Sequence, residues 1–140
     1  MVIYEFLDFR KPKEEDWLIV IQATTPFTSY NDFMKLHEAV MNGFADSYIS
    51  SRRVKKFFWS DNGSPLNYKL DNKPLRQDYN GILLETGAFY ATSVKSFIDT
   101  GHIINGKVHI IETSEGSEID IDEEKDWIVA EWFGKINGYF

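Results

Sequence analysis

The sequence predicts an α/β domain, on three observations. The apolar, β-branched run Trp17-Leu18-Ile19-Val20-Ile21 leads into a polar loop and then into apolar residues at helical spacing. Strand-like and helix-like stretches go on alternating along the rest of the chain. The 140 residues, 43% hydrophobic and 16% aromatic, suffice for one domain with a substantial core. No repeat or low-complexity tract divides the chain, so residues 1–140 read as a single domain.

Taken in order, residues 2–9 set Val2, Ile3, Phe6, Leu7 and Phe9 at the spacing of a short helix, and a charged turn with Pro12 follows. Residues 17–21 read as a strand buried on both faces, as in a parallel sheet, and Pro26 stops it. Ser29 or Asn31 caps a helix that carries Phe33, Met34, Leu36, His37, Val40 and Met41 and closes at Gly43. Residues 46–51 form a second strand. Residues 54–59 are basic and aromatic, 60–65 (SDNGSP) make a turn, and 66–81 are polar loop. Residues 82–91 read as a strand interrupted at Gly87, where a bulge or the close approach of a ligand is expected. One or two helical turns at 94–100, a turn at Asn105-Gly106, a strand at 107–112 and a closing helix at 123–133 complete the chain.

Composition excludes several function classes. A net charge of −7 disfavours a nucleic-acid polymer as partner, because such binding rests on Lys and Arg neutralising phosphates. The basic run SRRVKK at 51–56 is the local exception, and a solvated edge explains it as well as a binding patch does. The chain has no cysteine, which removes disulfides, thiolate metal sites and cysteine nucleophiles and fits a cytosolic protein. His37, His102 and His109 are scattered, which argues against a histidine-built zinc site. No apolar run reaches membrane-spanning length, and the early acids Glu5 and Asp8 argue against a signal peptide.

Four stretches carry chemistry. Gln22-Ala23-Thr24-Thr25-Pro26 follows the first strand, where ligands bind in open α/β sheets, and its amide and hydroxyls suit a polyhydroxylated ligand; a plain strand-to-helix turn is the alternative. In Ile119-Asp120-Ile121-Asp122, alternation puts both aspartates on one face of an extended segment. Two carboxylates side by side favour a hard cation such as Mg²⁺, while a helix N-cap at Asp122 is the alternative. Arg76, in Leu75-Arg76-Gln77-Asp78, offers a bidentate fork to a carboxylate or phosphate, or is a surface arginine. In Glu85-Thr86-Gly87-Ala88-Phe89-Tyr90, Gly87 admits a ligand to the backbone and Tyr90 offers a hydroxyl, or the stretch is a bulged core strand.

In their order and spacing, QATTP, RQD, ETGAFY and SEIDIDEEKDWIVAE resemble stretches of the acylneuraminate cytidylyltransferases, the CMP-sialic acid synthetases. There the counterparts look like QPTSP or QATSP, RRQD, ENGAFY or ENGSFY, and SIDIDTEEDWIIAE. Phe57-Phe58-Trp59 and the tail FGKINGYF resemble animal members, so the likeness runs from about Asp16 to the last residue. It implies a Rossmann-like fold of the nucleotide-diphospho-sugar transferase type and transfer of CMP from CTP to a nine-carbon sugar acid, with release of pyrophosphate. It implies sugar contacts at Gln22, Thr24, Arg76, Thr86 and Tyr90. It also implies Mg²⁺ and activation of the attacking hydroxyl at Asp120 and Asp122, with Arg76 counted among the catalytic groups. A homodimer follows as well, with an extended arm over 54–90 crossing to the partner, in the cytoplasm or the nucleus.

Three positions depart from the family pattern. Thr86 replaces an Asn, Leu75 replaces the first Arg of RRQD, and Glu118 stands where a Ser precedes IDID, which adds negative charge beside the aspartates. The Gly-rich, basic loop of the form ARGGSKGIPxKN, which cradles the triphosphate, has no counterpart among these residues. The resemblance therefore implies a C-terminal portion of the family domain that works only with an N-terminal half, as a fragment or one part of a split enzyme. Two alternatives stand beside it: a shortened, non-catalytic sugar-acid-binding or dimerisation module, and an oligomer that restores the sheet by exchange between subunits.

Overall fold

Why the chain folds around one sheet is clearest from its register. The computed structural model describes residues 2–140. Four helices and four strands follow in the order α1 (Val2–Arg10), β1 (Trp17–Ile21), α2 (Tyr30–Met41), β2 (Ser47–Val54), β3 (Ile82–Ser93), α3 (Val94–Thr100), β4 (Val108–Glu112) and α4 (Glu124–Ile136). The sheet order is β1-β3-β2-β4. β3 runs antiparallel to both β1 and β2, and β2 runs parallel to β4.

This corrects one expectation. β1 is neither in a parallel pair nor buried on both faces: it is an edge strand paired with β3 alone, with Ile19 46% and Ile21 56% exposed. A continuous apolar run reports that both faces of a strand are apolar; it carries no information on strand direction or on what covers those faces. The parallel pair forms instead between β2 and β4.

Each face of the sheet is covered by helices. On one, α2 places Leu36 and Ala39 against Tyr48, Ala88, Phe89, Ala91 and Ile111, with Trp17 and Phe33 at the margin. The Tyr48 hydroxyl donates to the Ala39 carbonyl at 2.9 Å and locks helix to strand. On the other face, Leu18 packs with Val94 and Phe97, and α1 contributes Ile3 and Leu7. Strand alternation explains the division, since Trp17 and Leu18 point to opposite sides.

Two local features position the site. The first is a fully buried carboxylate, Asp32, in the first turn of α2. One oxygen accepts from the Ser29 N–H (3.0 Å) and hydroxyl (2.8 Å), completing a capping box; the other accepts from the Ser114 N–H and hydroxyl, both at 2.9 Å. The loop that leaves β4 is thereby pinned to the start of α2. Burial acts to raise the Asp32 pKa, but the hydrogen bonds from Ser29 and Ser114 outweigh it and hold the carboxyl below its ordinary value.

The second is a bulge in β3. Ile49 pairs with Tyr90 and Ser51 with Glu85, so residues 86–89 stand opposite Ser50 alone. The Ser50 Oγ fills the gap, accepting from the Thr86 hydroxyl (2.9 Å) and the Phe89 N–H (3.0 Å). Gly87 takes the left-handed conformation the bulge needs, at φ 71°.

The arm expected over 54–90 divides in two. Residues from Ile82 onward belong to the central strand, and the excursion proper is 55–81, closed at its base by the Val54–Ile82 pair. It has an aromatic cluster of its own: Phe57 stacks on Tyr79 and meets the edge of Tyr68, each at 5.1 Å, with the Lys73 ammonium 4.8 Å above Phe57. The Asn67 amide ties the Lys56 carbonyl to the Tyr79 hydroxyl.

Candidate functional site

Three of the four sequence stretches meet at one end of the sheet. The Gln22 N–H donates to the Ala88 carbonyl at 3.0 Å, extending the β1–β3 ladder by one residue into the bulge. The loop then folds on itself, with the buried Thr25 hydroxyl donating to the Gln22 carbonyl. The Thr24 carbonyl accepts from the Ile121 N–H at 2.9 Å, so the loop after β1 is bonded to the residue between the two aspartates. The Gln22 side chain stays exposed.

Tyr90 pairs with Val20 on one side and Ile49 on the other. Its hydroxyl donates to Glu85 Oε1 at 2.6 Å. Burial, the Glu85 hydrogen bond and charge, and the Asp120 charge push the phenol up to about 12, so it stays a neutral donor near neutral pH. A Cβ at Gly87 would lie 3.9 Å from the Tyr90 hydroxyl and meet nothing else, which leaves the backbone beside the phenol open.

The two aspartates differ in their surroundings. Residues 119–122 are irregular rather than extended strand; Asp120 is partly buried and Asp122 exposed. Asp120 Oδ1 is fully buried and has no hydrogen-bond partner. Asp122 is not the cap of α4: Glu123 is, and the Asp126 carboxylate accepts from the backbone of both Asp122 and Glu123.

Among the described residues no group of three or more His, Cys, Asp or Glu side chains could hold a metal. Mg²⁺, however, commonly takes one or two carboxylates together with substrate phosphates. An orphaned buried carboxylate oxygen on Asp120 suits that role, with Asp122 two residues on. The donor set therefore fits Mg²⁺ held jointly with a phosphate ligand.

The remaining sequence candidates lie elsewhere. Arg76 sits in the 55–81 excursion, in an exposed turn closed by the Asp78 and Tyr79 N–H groups on the Leu75 carbonyl, and among the described residues no hydrogen bond or ion pair joins it to Tyr90 or Asp120. The Thr86 side chain is buried, and its hydroxyl serves Ser50 in the bulge. Glu118 accepts from the Gly116 N–H at 2.9 Å and lies 3.8 Å from Arg52 Nε, so its charge faces Arg52. Arg53 forms a fork with Glu112 at 2.9–3.1 Å, so these two arginines of the basic run are paired.

Sequence reasoning missed Glu85 and Ser50. At opposite parity, Glu85 and Tyr90 would face opposite sides of a regular strand; only the bulge brings them together, and Gly87 was its one visible trace. Ala23 and Ile121 also line an apolar cavity of about 440 Å³ together with Pro26, Phe27, Trp127 and Tyr139.

No protein-family model matches the chain. It is 32% identical over 138 residues to N-acylneuraminate cytidylyltransferase A of Danio rerio, covering 94% of this chain and 32% of that protein. It is 29% identical over 145 residues to the B form of the same organism (99% and 34% covered). It is 34% identical over 134 residues to the N-acylneuraminate cytidylyltransferase of Oncorhynchus mykiss (91% and 31%). The chain thus spans about a third of the length of the curated relatives it matches. Among solved structures, the 4-diphosphocytidyl-2C-methyl-D-erythritol synthase of Anaerococcus prevotii superposes with a TM-score of 0.62 at 17% identity, covering 95% of this chain and 64% of that one. The 2-C-methyl-D-erythritol 4-phosphate cytidylyltransferase of Francisella tularensis superposes with a TM-score of 0.62 at 16% identity (93% and 65%). Their likeness shows the nucleotide-diphospho-sugar transferase fold, and the curated homologues are cytidylyltransferases.

Proposed function

We propose that this chain is the sugar- and metal-binding portion of a cytidylyltransferase. The reaction transfers CMP from CTP to the anomeric hydroxyl of a sialic-acid-like sugar acid, together with an N-terminal polypeptide that supplies the phosphate loop. The observation that carries this reading is the buried, unpartnered Oδ1 of Asp120, set in a segment bonded to the Thr24 loop and felt electrostatically by Tyr90. Similarity over nearly the whole chain to N-acylneuraminate cytidylyltransferases supports the choice of sugar acid.

In this mechanism Gln22, Thr24 and Tyr90 hold the sugar, and Thr86 acts through the bulge that places Tyr90. Arg76 reaches a sugar carboxylate across a homodimer, carried there by the arm. The anomeric oxygen attacks the α-phosphorus, the bond to the pyrophosphate oxygen breaks, and the hydroxyl proton passes to the Asp120/Asp122 pair. Bound by these two aspartates, Mg²⁺ supplies charge neutralisation and in-line orientation of the triphosphate. Among the described residues no helix is long and apolar enough to cross a membrane, and the proposed setting is the cytoplasm or nucleus.

The test mixes this chain with a polypeptide carrying the Gly-rich loop of such a relative, then measures pyrophosphate release from CTP and N-acetylneuraminate with Mg²⁺. Release that Asp120→Asn abolishes supports the proposal. No release, but saturable calorimetric binding of N-acetylneuraminate, favours a non-catalytic sugar-acid-binding module, and neither signal rejects both.

A further inference from the structure

Glu85, the first residue of the ETGAFY stretch, accepts from the Tyr90 phenol, and the sequence alone assigns it no role. The bulge at 86–89 turns β3 so that the two residues, five apart, lie on one face with the phenol oxygen 2.6 Å from Glu85 Oε1. That distance is shorter than the usual neutral O–H···O bond and typical of a charge-assisted hydroxyl–carboxylate bond. A phenol has a single proton and accepts through its lone pairs. With that proton donated in the hydrogen bond to Glu85, the oxygen presents only acceptor capacity to the open space beside Gly87.

We infer that Glu85 is a positioning residue that sets the polarity of Tyr90, so that Tyr90 reads a ligand by accepting a hydrogen bond from an O–H or N–H group. A ligand acceptor, such as a carboxylate or phosphate oxygen, is turned away at this point, because both it and the phenol oxygen lack a free proton. The inference rests on the proposed sugar site and specifies which part of the sugar Tyr90 takes: a hydroxyl or amide N–H, not the acid group. The carboxylates of Glu85 and Asp120, both of which act on Tyr90 electrostatically, reinforce the rejection of anions there.

The experiment has two independent arms. In the first, the tyrosine Raman doublet of Tyr90 is isolated in the free protein by subtracting the spectrum of Tyr90→Phe. Glu85 is exposed at the sheet surface, so Glu85→Ala folds. The expected doublet is that of a phenol donating to a carboxylate, and Glu85→Ala moves it to that of a phenol exchanging bonds with water. An unmoved doublet overturns the inference. In the second arm, N-acetylneuraminate is titrated calorimetrically into wild type, Tyr90→Phe, Glu85→Ala and Glu85→Gln. Glu85→Ala is expected to weaken binding about tenfold and Glu85→Gln, which keeps an acceptor for the phenol proton, by no more than about threefold. Loss of binding in Tyr90→Phe with none in Glu85→Ala overturns the inference. If wild type itself fails to bind, the sugar reading fails, while the Raman arm still decides the role of Glu85.

Discussion

The bulged end of β3 and the arm at 55–81 are built by opposite means. At the bulge, Tyr90 is set by strands on both sides and by a Ser50 side chain filling a backbone gap, and the neighbouring Phe89 and Ala88 are fully buried. In the arm, Phe57, Tyr68, Tyr79 and Lys73 hold one another, while Trp59, Leu66, Leu70 and Leu75 remain largely exposed. The first region is preorganised by the domain that carries it. The second has local order of its own and leaves several apolar side chains exposed. Tyr90 is therefore held by the sheet, whereas Arg76 sits in an exposed turn of the excursion.

The comparison breaks most sharply at Phe89. Phe89→Ala is expected to lower stability by about 4 kcal/mol in chemical denaturation, by lost burial and a residual cavity. A loss below about 1 kcal/mol would mean that the bulge is not seated on the core.

Asp32→Ala comes next, with an expected loss of about 3 kcal/mol from unpaired donors on Ser29 and Ser114. Its pH dependence has a definite sign. Because the native carboxyl lies below the ordinary 3.8, its contribution is present above that value and is lost as pH falls through the native one. The difference between wild type and Asp32→Ala should therefore shrink on acidification; a constant difference down to the acid transition would contradict the assignment.

In the arm, Phe57→Ala is expected to cost roughly 1 kcal/mol or less of global stability, while amide exchange across 55–81 accelerates. A global loss equal to that of Phe89→Ala would erase the distinction between the regions.

The smallest stability effects, within about 0.5 kcal/mol, are expected for Asp120→Asn and Arg76→Ala, since neither side chain has a hydrogen-bond partner to lose. Each should still impair the proposed function. Asp120→Asn removes Mg²⁺-dependent turnover, and Arg76→Ala acts only where sedimentation shows a dimer.

Much of the fold was legible locally. Trp17–Ile21 and Val94–Thr100 form as strand and helix at the expected bounds, and Ser29 caps α2, because β-branched runs, helical spacing and capping residues act over a few neighbours. The site was legible in part. The Thr24 carbonyl accepts from the Ile121 N–H, which joins two of the four stretches, and the Asp120 charge is the smallest of the influences that raise the Tyr90 phenol. Thr86 reads as a ligand contact in sequence but is buried against Ser50 in the structure, since strand parity fails across a bulge.

The sequence by itself determined where most strands and helices lie and which stretches are apolar. Tertiary structure alone decided that β1 is an antiparallel edge, that Asp120 keeps an unpaired buried oxygen while Asp122 is exposed, and that Glu85 accepts the Tyr90 hydroxyl's hydrogen bond. The physical reason is range. Periodicity and capping are properties of adjacent residues, whereas strand direction, register and desolvation are set by partners tens of residues away, and here a single bulge resets them all at the site.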